Sequence, residues 1–139
     1  WIGKQILEAF VYQVDNRHPK TELYDEIMKI LDLEDPYQII QKVMSNQDDY
    51  RNFVANISGQ TAHLNDSVLD KIYVSAGLKL AELANSFIIE EKTAISIGGS
   101  VLLNNEIVRE TFINNLSDKY YYVSPKHPVE YAAYLLYKG

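Results

Sequence analysis

Few residues of this 139-residue chain have a type and spacing that could carry chemistry. Gly98 and Gly99 are the most informative pair. They close a short β-rich run, Thr93-Ala94-Ile95-Ser96-Ile97. Two glycines at the carboxyl end of a parallel strand let the backbone approach a flat ligand closely, and ligands of open α/β sheets sit at that end. The same pair also suits a tight turn that needs only positive φ. Ser100 and Asn104 follow as polar neighbours on the loop and helix beyond. The other reactive types are dispersed. His18, His63 and His127 form no H-E-x-x-H pair. Asp48 and Asp49 are neighbours on a polar connection, where two carboxylates rarely converge on one atom. Tyr120, Tyr121 and Tyr122 would alternate faces on a strand, so they cannot form one stacking platform. No G-x-x-x-x-G-K-S/T phosphate loop, G-x-G-x-x-G or G-x-S-x-G is present. Cysteine is absent. This chain alone therefore offers no disulfide, thiol nucleophile, zinc–thiolate site or iron–sulfur cluster.

The periodicity indicates which elements must position the glycine pair. Ile2, Ile6, Phe10 and Val14 fall four apart and predict a helix over 2–14. Asp15 to Pro19 is a turn. Thr21 can cap a second helix, with Leu23, Tyr24, Ile27, Met28 and Leu31 inward. Asp35-Pro36 opens a third, with Ile39, Ile40 and Val43 inward. A fourth begins at Tyr50 and is expected to be interrupted near Gly59. The longest starts at Asn65-Asp66 and is expected to reach Ile89, with Leu83 and Phe87 on its inward face and close packing at Gly77. From Lys92 the texture changes: a strand over 93–97, a helix over 104–116, a strand over 120–123 and a closing helix over 129–137. Strand, helix, strand in that order predicts a parallel βαβ unit. The fold class is thus α/β and helix-rich with a short parallel sheet. It is read as one domain over 1–139, mostly helical over 1–91 and βαβα over 92–139.

Composition narrows the partners. Lys plus Arg number 13 against 19 Asp plus Glu, a net charge of −6, which disfavours nucleic acid and an anionic membrane surface. No apolar run approaches a membrane span, and no signal segment opens the chain. The expected compartment is cytoplasmic. The chain begins at Trp1 rather than Met, so the reading expects a longer polypeptide upstream.

Several segments taken together resemble one family. Trp1-Ile2-Gly3-Lys4-Gln5-Ile6-Leu7 resembles the W-I-G-x-x-A-L stretch of the BadF/BadG/BcrA/BcrD-type ATPase and N-acetylglucosamine kinase family, with Ile6 where Ala is usual. Thr21-Glu22-Leu23 resembles its T-x-L. Asn65-Asp66 before a long helix resembles its G-D-x-x-A, with Asn65 in place of Gly. Ile97-Gly98-Gly99-Ser100-Val101 resembles its adenosine motif. Ser124-Pro125-Lys126-His127-Pro128 with Ala132-Ala133 resembles its closing S-P-x-x-P…G-A, with Tyr131 in place of Gly.

That resemblance implies an actin-like ATPase fold of the sugar kinase and Hsp70 type, of which this chain is the C-terminal part of one RNase H-like lobe. It implies ATP and Mg as cofactors, held mainly by an N-terminal lobe of the same polypeptide. The implied substrate is an amino sugar, and a homodimer stays open. Gly98 and Gly99 would wall the adenosine, with Ser100 and Asn104 as further candidates. No catalytic or metal residue is assigned, and the fragment alone is expected to be inactive. Two alternatives share the fold: a non-catalytic sugar sensor or scaffold, and a BadF-type ATPase activator. The lack of cysteine points away from the cluster-bearing activator branch.

Overall fold

A computed structural model describes residues 1–127; the expected closing helix over 129–137, with Tyr131, Ala132 and Ala133, lies outside the described residues. The described elements are α1 (Ile2–Val14), α2 (Glu22–Ile30), α3 (Ile39–Ser45), α4 (Tyr50–Thr61), α5 (Ser67–Asn85), β1 (Thr93–Ile95), α6 (Ser100–Asn104), α7 (Glu106–Asn114) and β2 (Tyr120–Tyr122). The helix-rich α/β class with a short parallel sheet is the observed one. The chain divides into two compact units, Trp1–Ile72 and the part from Tyr73 onward, with the division falling inside α5. None of the helices among the described residues is long and apolar enough to cross a membrane.

The first unit is helical. The apolar stripe of α1 buries Ile6, Leu7, Phe10 and Val14. Helix α4 supplies Val54 and Ile57, and α2 supplies Leu23 and Ile27. Gly3 sets how close α1 and α4 come: a Cβ built there would lie 1.9 Å from the Val54 carbonyl oxygen. Asp66 organises the helix starts. It is 4% exposed, and its Oδ1 accepts from the N–H groups of Val68 (2.8 Å) and Leu69 (3.4 Å), capping α5. Its Oδ2 accepts from Leu23 N–H at 3.0 Å, in the first turn of α2. Burial pushes the Asp66 pKa up. Hydrogen bonds from the Thr21 hydroxyl and the Leu23, Val68 and Leu69 N–H groups together outweigh this and hold it below its ordinary value. Thr21 occupies the N-cap position of α2 as expected, but its side chain makes no cap hydrogen bond. Its oxygen instead accepts from Gln13 Nε2 at 3.0 Å.

Three expectations for the helices are corrected. Ile40 is exposed, and α3, entered from a 3-10 turn over Pro36–Gln38, buries its neighbour Ile39. Helix α4 runs through Gly59 without interruption to Thr61. Helix α5 stops at Asn85 rather than Ile89, and Leu83 and Phe87 are exposed. A contact distant along the chain caps this end. Lys119 Nζ donates to the carbonyls of Asn85, at 2.6 Å, and of Phe87, placing a cation on the terminal carbonyls.

In the second unit β1 and β2 pair in parallel, with Thr93 opposite Tyr120, Ala94 opposite Tyr121 and Ile95 opposite Tyr122. The connection between them holds two short helices, not the single helix expected over 104–116. Asn105 makes the break: its backbone is extended, and its side-chain oxygen accepts from Val108 N–H at 3.0 Å, capping α7. The core gathers Ala81, Ala84, Ile97 and Phe112. The Tyr120 hydroxyl donates to the Ala84 carbonyl and ties β2 to α5. The close packing expected at Gly77 is present, since a Cβ there would lie 2.6 Å from Thr111 Cβ and 2.7 Å from the Val108 carbonyl oxygen.

Candidate functional site

The parallel register puts the carboxyl ends of both strands on one edge of the sheet. Val123 N–H donates to the Ile95 carbonyl at 2.8 Å, extending the ladder by one bond before the chains separate. Residues 96–100 and 123–125 therefore leave the sheet at the same end. Ile97 is the anchor of the first segment, buried among Ala81, Ala84 and Phe112. The strand is shorter than the β-rich run, and Ser96 and Ile97 lie beyond it.

Gly98 and Gly99 stand where the sequence places them, between the strand and α6. Gly99 has φ 84° and ψ 153°, a region open essentially to glycine alone. Backbone geometry is thus a sufficient reason for glycine at 99. A Cβ built there meets no atom within 4 Å, so the backbone faces open space. Gly98 is half-buried and does not share the positive φ. Ser100 is the first residue of α6 and exposed; Asn104 is the last residue of that helix and also exposed. Gly98, Gly99 and Ser100 are contiguous on the edge. Asn104 lies one helical turn further on.

Arg109 escaped the sequence reading. Its Nη1 donates to the Leu103 carbonyl at 3.0 Å and to that of Leu102 at 3.4 Å, fixing a guanidinium on the C-terminal end of α6. A short apolar run followed within seven residues by an arginine was the available signal.

A shallow groove of about 500 Å³ lies elsewhere in the second unit, lined by Leu78, Ala81, Glu82, Asn85, Ser86 and Asn115. None of the residues expected to bind ligand lines it. Its amides serve the fold: Asn85 Nδ2 donates to the Asn115 carbonyl at 2.9 Å, and Asn85 Oδ1 accepts from Ser117 N–H at 2.8 Å.

The histidines do not converge. His18 sits edge-on to the Tyr12 ring, and His63 lies 3.8 Å from a Glu26 carboxylate oxygen. Among the described residues no three His, Asp or Glu side chains gather as a metal site. What the edge offers is uncovered backbone beside small polar side chains.

Comparison with protein-family models finds no match to this chain, and searches of curated proteins and of solved structures find no significant match either.

Proposed function

We propose that this chain is the nucleotide-side, C-terminal part of an ATP-dependent sugar kinase with an actin-like ATPase fold, similar to N-acetylglucosamine kinase. The reaction is phosphoryl transfer from ATP to an amino-sugar hydroxyl in the cytoplasm. One observation carries the reading: the Gly98-Gly99 turn leaves the carboxyl edge of a parallel pair, with open space over the Gly99 backbone. Ligands of parallel α/β sheets collect at that edge. Gly98 and Gly99 form the adenosine wall in this reading, and Ser100 and Asn104 are polar neighbours. Phosphoryl transfer is mainly positioning and charge stabilisation. In this reading the phosphates and Mg are held mainly by an upstream lobe of the same polypeptide, as the resemblance implies.

The test is a backbone-amide NMR titration of the 139-residue chain with ATP. Half a site binds weakly, with a dissociation constant of roughly 1 mM, or about −4 kcal/mol. Shifts confined to residues 97–104 and 123–125 support the reading. Gly98→Ala, at a position without the positive φ of Gly99, should weaken those shifts while leaving the spectrum folded. Absence of shifts at millimolar ATP, or shifts only around the Leu78–Asn115 groove, refutes the assignment.

A further inference from the structure

We propose that α2 and its flanking turn, residues 17–31, form an arm that opens as one piece, and that Asp66 is the latch holding it closed. The arm has defined ends. Asn16 (φ 58°) and Asp32 (φ 51°) are the non-glycine residues in the left-handed region among the described residues, and they bracket it on either side. Such residues at element ends are where a chain absorbs a change in backbone direction.

Side-chain hydrogen bonds hold its N-terminal end, the one from the Thr21 hydroxyl to Asp66 among them. Asp66 Oδ2 accepts from Leu23 N–H across 43 residues, and Gln13 Nε2 donates to Thr21 Oγ1. Asp66 needs both its oxygens for this, because Oδ1 is occupied by the Val68 and Leu69 N–H groups. A side chain with one acceptor oxygen can cap α5 or hold the arm, but not both.

The closed state also carries a local cost. Gln13 is fully buried, and its Oε1 has no hydrogen-bond partner, an arrangement that opening relieves by hydration. Opening uncovers Leu23, Ile27 and Leu31 of the arm and the surface beneath it, including the Phe10 ring that packs on Tyr24 at 5.2 Å. Global unfolding also parts α1 from α4, which meet closely at Gly3 and Val54, and uncovers Ile6, Leu7 and Val54 as well. The arm thus opens below the global free energy, as local cooperative units do.

Native-state hydrogen exchange on the 139-residue chain, read by NMR across low urea concentrations, tests this. In the unsubstituted chain the amides of α2 should share one exchange free energy, below that of the amides of α1 and α4. Asp66→Asn keeps the shape but loses one acceptor oxygen. It should speed exchange of the α2 amides roughly tenfold, the scale of a lost cap, while Val68 and Leu69 stay protected. The proposal is overturned if α2 exchanges only together with α1 and α4 in the unsubstituted chain, a result that needs no variant to fold. It is equally overturned if Asp66→Asn leaves α2 unchanged or exposes α5 alone.

Discussion

At the scale of single residues the glycines divide by what surrounds them. Gly3 and Gly77 are packing glycines, each with a neighbouring carbonyl oxygen where a Cβ would go. Gly59 lies in α4 with nothing within 4 Å of its Cβ position. Gly3→Ala should therefore destabilise the chain by ~1–3 kcal/mol or more through overpacking. Gly59→Ala should stabilise it by ~0.5–1 kcal/mol, because alanine restricts the unfolded chain and fits a helix. Urea unfolding of the two variants beside the parent checks both signs. Gly99 is a third kind, set by φ 84° and ψ 153°. Gly99→Ala should cost ~1–3 kcal/mol of stability whether or not a ligand binds there. An unchanged urea midpoint for that variant would contradict the described turn.

At the scale of elements, helix ends determine where the structure turns. Asp66 starts α5 and holds α2; Asn105 starts α7; Lys119 and Asn85 finish α5. Asn105→Ala should cost about 1 kcal/mol, the usual worth of such a cap, and should lower helical circular dichroism only modestly. Asp66 adds a pH dependence with a definite sign. Its folded pKa lies below its unfolded one, so its contribution is complete above the ordinary carboxylate value of about 3.9 and disappears as pH falls through the lower folded value. The difference in stability between the parent and Asp66→Asn should accordingly be large near neutrality and shrink in acid. Equal differences at both ends of a pH series of urea unfolding curves would show that the carboxylate is not the group responsible.

At the scale of the whole molecule the proposed reading gives this chain the nucleotide edge and leaves the catalytic groups to an upstream lobe. Its described residues gather no metal cluster, and its sequence lacks a glycine-lysine phosphate loop. We expect no ADP production above blank when the purified 139-residue chain is incubated with ATP, Mg and N-acetylglucosamine. Sustained turnover would place the chemistry in this chain and refute its assignment as the nucleotide-side part of a larger kinase. The two compact units predict a further property of the chain. Limited proteolysis and exchange should report separate protection patterns for residues before and after Ile72.

Much of the local structure was legible in the residue pattern. The stripe Ile2-Ile6-Phe10-Val14 defined α1 to the residue, Asp35-Pro36 marked the start of the next helical segment, and the β-rich runs at 93 and 120 marked both strands. Each depends on neighbours a few positions apart, and such signals survive without a tertiary context. The parallel pairing was legible too, because a helical crossover leaves little other choice. What escaped the sequence depends on contacts distant along the chain. The end of α5 at Asn85 is set by Lys119, 34 residues on, so Leu83 and Phe87 looked inward by spacing and are exposed in fact. The second task of Asp66, holding Leu23 from 43 residues away, has no local signature at all. Gly99 shows the boundary between the two. Composition and spacing marked a turn there, but only the folded backbone showed its positive φ and the open space above it, because φ and surroundings belong to the conformation and not to the residue type.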